Sequence, residues 1–326
     1  MSKIAITIPG FSPHGGINVI IEWANQLSRW HDVTLISDSL QNNHWYPVKT
    51  KVTTDIWLQP YDALIVTSPH FSHLLGDLPT SIYGDFTGKR FVFCQMLEHL
   101  FRPNDKAWQK RCEAFYNAEF PMFYISRWNR GEMGRKNDED LYVQNGINFE
   151  LFPIENPEKS DRLHVLIEGW EPGNPTKDVK YLGAQIGRYV KQKYNAYVMA
   201  YGGKTLKFKP QYCSEYRFKP DLKTLNDLYS RAHILVKASR FDASSTVPFE
   251  AATKNCVTVR GIERGDDALI DGFNCYKRGY NLDQLIEAVD KAVITDNSRL
   301  ISNFREHLSY WTWERILEDV NKKVSL

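Results

Sequence analysis

One pattern limits this chain more than any other: short apolar runs without alternation, each followed by a loop and then by a stretch with helical spacing. Residues 3–8, KIAITI, form the first run. A loop with Gly10 and His14-Gly15-Gly16 follows, and residues 17–30 then place Ile17, Ile20, Ile21, Ala24 and Leu27 on one helical face. Residues 32–37, DVTLIS, are the next run. Such runs suit strands buried on both faces, as in a parallel sheet covered by crossover helices. Further strands are expected at 63–67, 91–94 and 122–125. The pattern restarts after 153–162, a stretch rich in Pro and charge that reads as a linker. Beyond it come strands at 163–168, 196–201, 233–237 and 256–259, and helices at 178–193, 222–231 and 282–294. At 326 residues, two domains of ordinary size are expected.

The chemistry concentrates in residues 239–276. Asp242 and Glu250 stand with seven residues between them, and Ala243-Ser244-Ser245-Thr246 is small and hydroxylated. Pro248 suits the first turn of a short helix that carries Glu250. The backbone amides of Ser244, Ser245, Thr246 and Val247 then sit ahead of a helix N-terminus, an arrangement suited to anions. Glu250, one turn inside, can accept the two hydroxyls of a ribose. Together these residues read as a nucleotide-diphosphate pocket with one acid on each side. The plainer alternative is an ordinary loop and helix with both acids solvated.

Other candidates lie in the first half. Gly15-Gly16 lets backbone approach a ligand at a helix start, or is a plain tight turn. The loop does not match G-x-G-x-x-G, which disfavours a dinucleotide enzyme. His70 follows a strand and could reach a ligand. Gln95 ends the run 91–94 and can act only through hydrogen bonds. Glu98, three residues on, is a candidate ligand contact, or has a capping or surface role. Ser126 is placed to cap a helix. Basic and aromatic residues interleave over 204–219, read either as an edge strand guarded by lysines or as a nucleic-acid contact.

Composition narrows the class. A net charge of +2 implies no polyanionic partner for the whole chain. Five scattered cysteines without C-x-x-C spacing argue against a disulfide framework or zinc site. The start MSKIAITIPG lacks the apolar core of a signal peptide, and no window is apolar enough to span a membrane. A soluble cytoplasmic protein is expected.

The order of these segments resembles the retaining glycosyltransferases of family 4, which have the GT-B fold. That family shows Glu, seven residues and Glu, with Gly-Phe-Gly-Leu-Pro between; Asp242 and Glu250 stand in the acidic positions, with Ser and Ala in place of glycines. Gly15-Gly16 matches a pair that faces the donor phosphates and the acceptor, with His14 beside it. Gln95 stands where relatives often carry His, and Glu98 matches an acid three residues on. Asn145-Gly146 is expected to form a turn that needs positive φ, and with Phe152 it resembles the segment that ends the family's first domain. Lys177 matches a lysine that grips the donor diphosphate. Trp170 occupies the place of a companion arginine, so that cation is lost or is replaced by Arg240, Arg260 or Arg264. Residues 267–276 resemble an acid-Gly-x-Asn turn, and the tail around Trp313 resembles the terminal helix.

The resemblance implies two Rossmann-like domains facing an interdomain cleft. Residues 1–155 would form the acceptor-side domain, joined by the C-terminal helix 308–326 packing back on it. Residues 156–307 would bind the nucleotide-sugar. It implies a metal-independent transferase that retains anomeric configuration and uses no cofactor. It would move sugar from a UDP- or GDP-linked donor, UDP favoured, to a hydroxyl of a glycan or glycoconjugate. Asp242, Glu250, Lys177 and Gln95 would carry the reaction. Gly15, Gly16, Ser244, Ser245, Thr246, Val247 and Trp170 would complete the donor site, with His14, His70 and Glu98 on the acceptor side. Two alternatives stay open: a DNA glycosyltransferase acting on a hydroxymethylated base, and a non-catalytic nucleotide-sugar-binding module.

Overall fold

The computed structural model describes residues 1–11, 15–40, 46–168, 181–203 and 211–325. The chain divides into two units, Met1–Gly146 with Trp313–Leu326, and Ile147–Thr312. Each is built on one wholly parallel sheet. The first contains β1 (Lys3–Ile8), β2 (Asp32–Ser37), β3 (Lys51–Thr53), β4 (Ala63–Val66), β5 (Lys89–Cys94), β6 (Met122–Tyr124) and β7 (Leu141–Tyr142), in the order β3-β2-β1-β4-β5-β6-β7. The second contains β8 (His164–Glu168), β9 (Tyr197–Gly202), β10 (Glu215–Phe218), β11 (Ile234–Asp242), β12 (Val257–Gly265) and β13 (Tyr276–Arg278), in the order β10-β9-β8-β11-β12-β13.

In both sheets the chain first winds outward in one direction, then crosses back to build the other half. The reversal lies between β1 and β4 in the first sheet and between β8 and β11 in the second. Ligands of open parallel sheets bind at such reversals, beyond the carboxyl ends of the strands. In the first sheet Thr7 and Thr67 bridge the reversal. The Thr67 amide donates to Thr7 Oγ1 at 3.0 Å, and its hydroxyl donates to the Thr7 carbonyl at 2.7 Å.

Apolar strands and one face of the longer helices make the cores. Trp23 of the helix Gly15–Leu27 is fully buried and stacks on Phe93 of β5 at 3.9 Å. In the second unit Val165, Ile167, Val236 and Val259 meet Leu285, Ala288 and Val289 of the helix Leu282–Ile294. All five cysteines are buried, and none is in a disulfide. No helix among the described residues is long and apolar enough to cross a membrane.

Two strands extend further than the apolar runs imply. The runs end at 237 and 259, yet β11 continues to Asp242 and β12 to Gly265, paired in register to the end. β8 stops at Glu168, opposite Lys237. Residues 240–242 and 263–265, the last three of each strand, are exposed or half-buried, so polar residues are tolerated there. Gly265 ends β12 at φ +104°, and a Cβ there would stand 1.8 Å from the Asp242 carbonyl oxygen. The helix expected at 178–193 spans Leu182–Tyr194, after Tyr181 in a left-handed conformation (φ 53°); residues 178–180 lie outside the described set.

Residues 147–155, read from sequence as the end of the first domain, are tied to the second unit. The Ile147 amide donates to the Trp311 carbonyl at 2.8 Å, and Lys254 Nζ bonds the Pro153 carbonyl at 2.8 Å and Glu155 Oε2 at 2.7 Å. The chain crosses back at Trp313. The terminal helix Trp313–Val324 packs on the helix Gly15–Leu27 side of the first unit through Arg29–Glu314 (3.0 Å) and His31–Asn321 (2.6 Å).

Asn145-Gly146 corrects another expectation. The turn does not need a positive φ at Gly146; it needs a missing side chain. A Cβ there would lie 2.8 Å from the Trp313 ring and 2.9 Å from its backbone nitrogen. Gly146→Ala is therefore expected to destabilise by about 1–3 kcal/mol through overpacking, read as a lower thermal unfolding midpoint. An unchanged midpoint would show that Trp313 gives way freely.

Candidate functional site

In the second unit, Asp242 ends β11, and the helix Val247–Ala252 carries Glu250. The plain alternative, two solvated acids, does not hold. Glu250 is buried, and its Oε2 accepts a hydrogen bond from Tyr229 Oη at 2.8 Å. Tyr229 Oη lies 3.0 Å from Tyr201 Oη, so a buried hydroxyl pair backs the carboxylate. Burial raises the pKa of Glu250, and the hydroxyls of Thr246 and Tyr229 moderate that rise. A carboxylate held in this way presents fixed acceptor geometry to a ligand's hydroxyls.

Between the acids, the loop does more than await an anion. The Ser245 amide donates to Asp266 Oδ1 at 2.7 Å, so that member of the expected amide set is already engaged. The amides of Thr246 and Val247 donate to no group among the described residues. The Thr246 carbonyl accepts from Phe249 and Glu250 and starts the helix.

Asp242 is held from two sides. Lys237 Nζ lies 3.5 Å and Arg260 Nη2 3.4 Å from its Oδ2. Arg260 is fully buried. Its Nε pairs with Asp266, and its Nη1 donates to the carbonyls of Lys237 at 3.0 Å and Gly261 at 3.1 Å. It points inward and is committed there, which removes it as the surface replacement for the cation missing at Trp170. Arg240 is paired with Glu263 at 3.1 Å. Lys177 and Trp170 lie outside the described residues.

This buried charge network went unread in the sequence, although a signal existed: charged residues inside apolar strands. Lys237 sits within ILVKAS, Glu168 closes HVLIE and Arg260 sits within VTVRGI. A charge in such a run must find a partner on folding. Lys277 has a related role: its Nζ donates to the carbonyls of Gly265, Asp266 and Leu269, holding the loop after β12. Asn274 ties the acid-Gly-x-Asn turn by bonding Ala268 and Ile270.

In the first unit, the structure brings several candidates to the carboxyl ends of the strands. Gly16 lies against Gln95: a Cβ there would stand 3.4 Å from Gln95 Oε1. Gly15 has open space around it. Ser68 accepts from the His70 amide at 3.3 Å and donates to Glu98 Oε2 at 3.4 Å. The His70 ring is already paired, with Nε2 2.7 Å from Asp38 Oδ2, and is half exposed. His14 lies outside the described residues. Ser126 caps its helix by accepting from the Trp128 amide.

Burial pushes the Glu98 carboxyl up to about 8, against the opposing pull of Ser68 and Arg102. The sign for stability follows. Between about 4.5 and 8 the native state holds a proton that the unfolded state has lost, so stability falls as pH rises through that window. Glu98→Gln is expected to flatten this loss, checked by thermal unfolding at pH 6 and pH 9. A variant with the wild-type pH slope would contradict it.

The basic, aromatic segment is described from 211 onward. There β10 is the edge strand of its sheet, as one reading of the sequence had it. Its Arg217 pairs with Glu215 at 2.8 Å, and so does Arg231 at 2.9 Å.

No family model matches the sequence, and a search of curated proteins finds no match. Solved structures do match. Sucrose-phosphate synthase from Thermosynechococcus elongatus is similar at a TM-score of 0.75 and 13% identity, over 99% of this chain and 98% of that one. WaaG, a glycosyltransferase involved in lipopolysaccharide biosynthesis, is similar at 0.73 and 12% identity, over 99% of each chain. Anabaena HepE in complex with UDP and glucose is similar at 0.71 and 13% identity, over 99% of each. At such identities the likeness concerns the fold, and over its full length this chain has the GT-B fold of those glycosyltransferase structures.

Proposed function

We propose that this protein is a glycosyltransferase of the family-4 type. It moves a sugar from a nucleoside-diphosphate donor, UDP-linked in preference to GDP-linked, to a hydroxyl of a glycan or glycoconjugate. The observation that carries this reading is the pair beside the reversal of the second sheet: Asp242, half-buried and held by two cations, and Glu250, buried and hydrogen-bonded. The shared fold adds support, since one structure of that fold holds UDP and glucose.

In this reading Glu250 accepts the ribose hydroxyls, and Asp242 accepts hydroxyls of the donor sugar. The amides of Thr246 and Val247 meet the diphosphate, and Lys177 balances its charge. Stabilising the departing diphosphate is the main electrostatic help the reaction requires. The bond from the anomeric carbon to the phosphate oxygen breaks, and a bond to the acceptor oxygen forms on the same face. The acceptor proton passes to an oxygen of the leaving diphosphate, which fits retention without a protein nucleophile. Gly15, Gly16 and Gln95 are further donor-site candidates, and His70 and Glu98 are candidates for the acceptor. No cofactor or metal takes part.

Calorimetric titration with UDP, GDP and ADP, followed by a test for hydrolysis of the matching nucleotide-sugars, examines this reading. UDP is expected to bind most tightly, with slow release of sugar from a UDP-linked donor. Binding without turnover in any acceptor mixture would favour a non-catalytic module. No binding of any diphosphate would overturn the reading.

A further inference from the structure

The parallel register sets Lys237 of β11 directly opposite Glu168 of β8, at the reversal of the second sheet. The Lys237 side chain is 2% exposed. Its ammonium pairs with Glu168 Oε2 and reaches Asp242 Oδ2. It therefore joins the carboxyl end of β8 to the carboxyl end of β11, where Asp242 stands. Arg260 reaches the same Asp242 oxygen from the neighbouring strand β12. One contact would leave a carboxylate free to turn about its Cβ–Cγ bond; two cations on one oxygen restrict that rotation.

A purely structural residue at position 237 would not need a charge. Burying an ammonium costs several kcal/mol, and an apolar side chain of similar size fills the same space without that cost. The strand around it, Ile234, Leu235, Val236 and Ala238, is buried and apolar, so the lysine is the exception in its own strand.

We propose that Lys237 is a positioning residue for the donor: it fixes Asp242 so that the carboxylate is presented to the sugar of a bound nucleotide-sugar. Glu168 is the counter-anchor that aims the ammonium. The inference rests on the donor reading above. It differs from that reading in assigning the sugar-dependent part of binding to a buried residue that touches no ligand itself.

The test compares the wild-type protein, Lys237→Met and the double variant Lys237→Met with Glu168→Gln. The single variant leaves two carboxylates facing each other without their shared cation, and loss of folding is expected to dominate it. In the double variant a neutral pair of similar size replaces the ion pair, which separates charge balance from positioning. Each protein is titrated with UDP and with UDP-glucose, and its thermal unfolding is recorded. The double variant is expected to unfold within a few degrees of wild type and to bind UDP within about threefold. Its UDP-glucose affinity relative to UDP is expected to fall about tenfold, the size of one charge-assisted hydrogen bond. A double variant with an unchanged ratio of the two affinities would overturn the proposal. So would one that loses UDP binding together with its folded structure, since Lys237 would then be structural. A wild-type protein that binds neither ligand would remove the donor reading, and this inference with it; that result is distinct from intact binding with an unchanged ratio.

Discussion

Arg260→Ala is expected to lower the thermal unfolding midpoint of the second unit by roughly 6–20 °C. The guanidinium is fully buried and serves two carboxylates and two carbonyls. Its removal leaves Asp266, 1% exposed, without its guanidinium partner, and withdraws one of the two cations on Asp242. Breaking a buried ion pair by deleting one partner costs about 3–5 kcal/mol, because the remaining charge stays in the interior. For a unit of this size each kcal/mol moves the midpoint by about 2–4 °C. Adding Asp266→Asn should recover part of the loss, since the stranded charge is then gone. The two single losses should not sum in the double variant, as expected for groups in contact. A midpoint shift under about 2 °C for Arg260→Ala would show that water or a rearranged Lys237 compensates, and that the network is not rigid.

Glu250→Gln is expected to weaken UDP binding by roughly 10- to 100-fold while leaving the fold intact. The substitution preserves shape and still offers a carbonyl oxygen to Tyr229 Oη. What it removes is the negative charge, and a hydrogen bond to a charged group contributes about 1.5–3 kcal/mol. That range corresponds to the stated change in affinity. Stability should hold or rise slightly, because burial already disfavours the ionised form of Glu250. Calorimetry with UDP and a thermal scan on the same sample separate the two effects. Wild-type affinity for UDP in Glu250→Gln would remove Glu250 from the nucleotide site.

Much of the sheet architecture was legible because buried parallel strands leave an unusual trace, apolar runs without alternation. Residues 3–8 and 32–37 are strands with those bounds, and 222–231 and 282–294 are helices with those bounds. The ends of β11 and β12 were not legible, since their last three residues are exposed or half-buried and tolerate Arg, Glu and Asp. The helices Lys106–Tyr116 and Ser298–Ser309 went unread; both bury only three residues and carry many charges, so their apolar faces are narrow. The carboxylate pair was visible as a spacing, but its surroundings were not. Lys237, Glu168, Arg260 and Asp266 come from β11, β8 and β12 and from the loop after β12, and only the sheet register brings them together. The same holds for Gly16 and Gln95, which lie 79 positions apart and meet only because β1 and β5 share a sheet. Gly146 was read as a turn residue, whereas the space it leaves belongs to Trp313, far along the chain.

The central claim is that a nucleoside diphosphate binds at the carboxyl end of β11 and the start of the helix that follows. Amide hydrogen exchange with and without saturating UDP tests it directly. Protection is expected at residues 244–250 and at the end of β8, with β1 and β2 little changed. Unaltered exchange over 244–250, with protection appearing elsewhere in the chain, would contradict the assignment of Asp242 and Glu250 to the donor site.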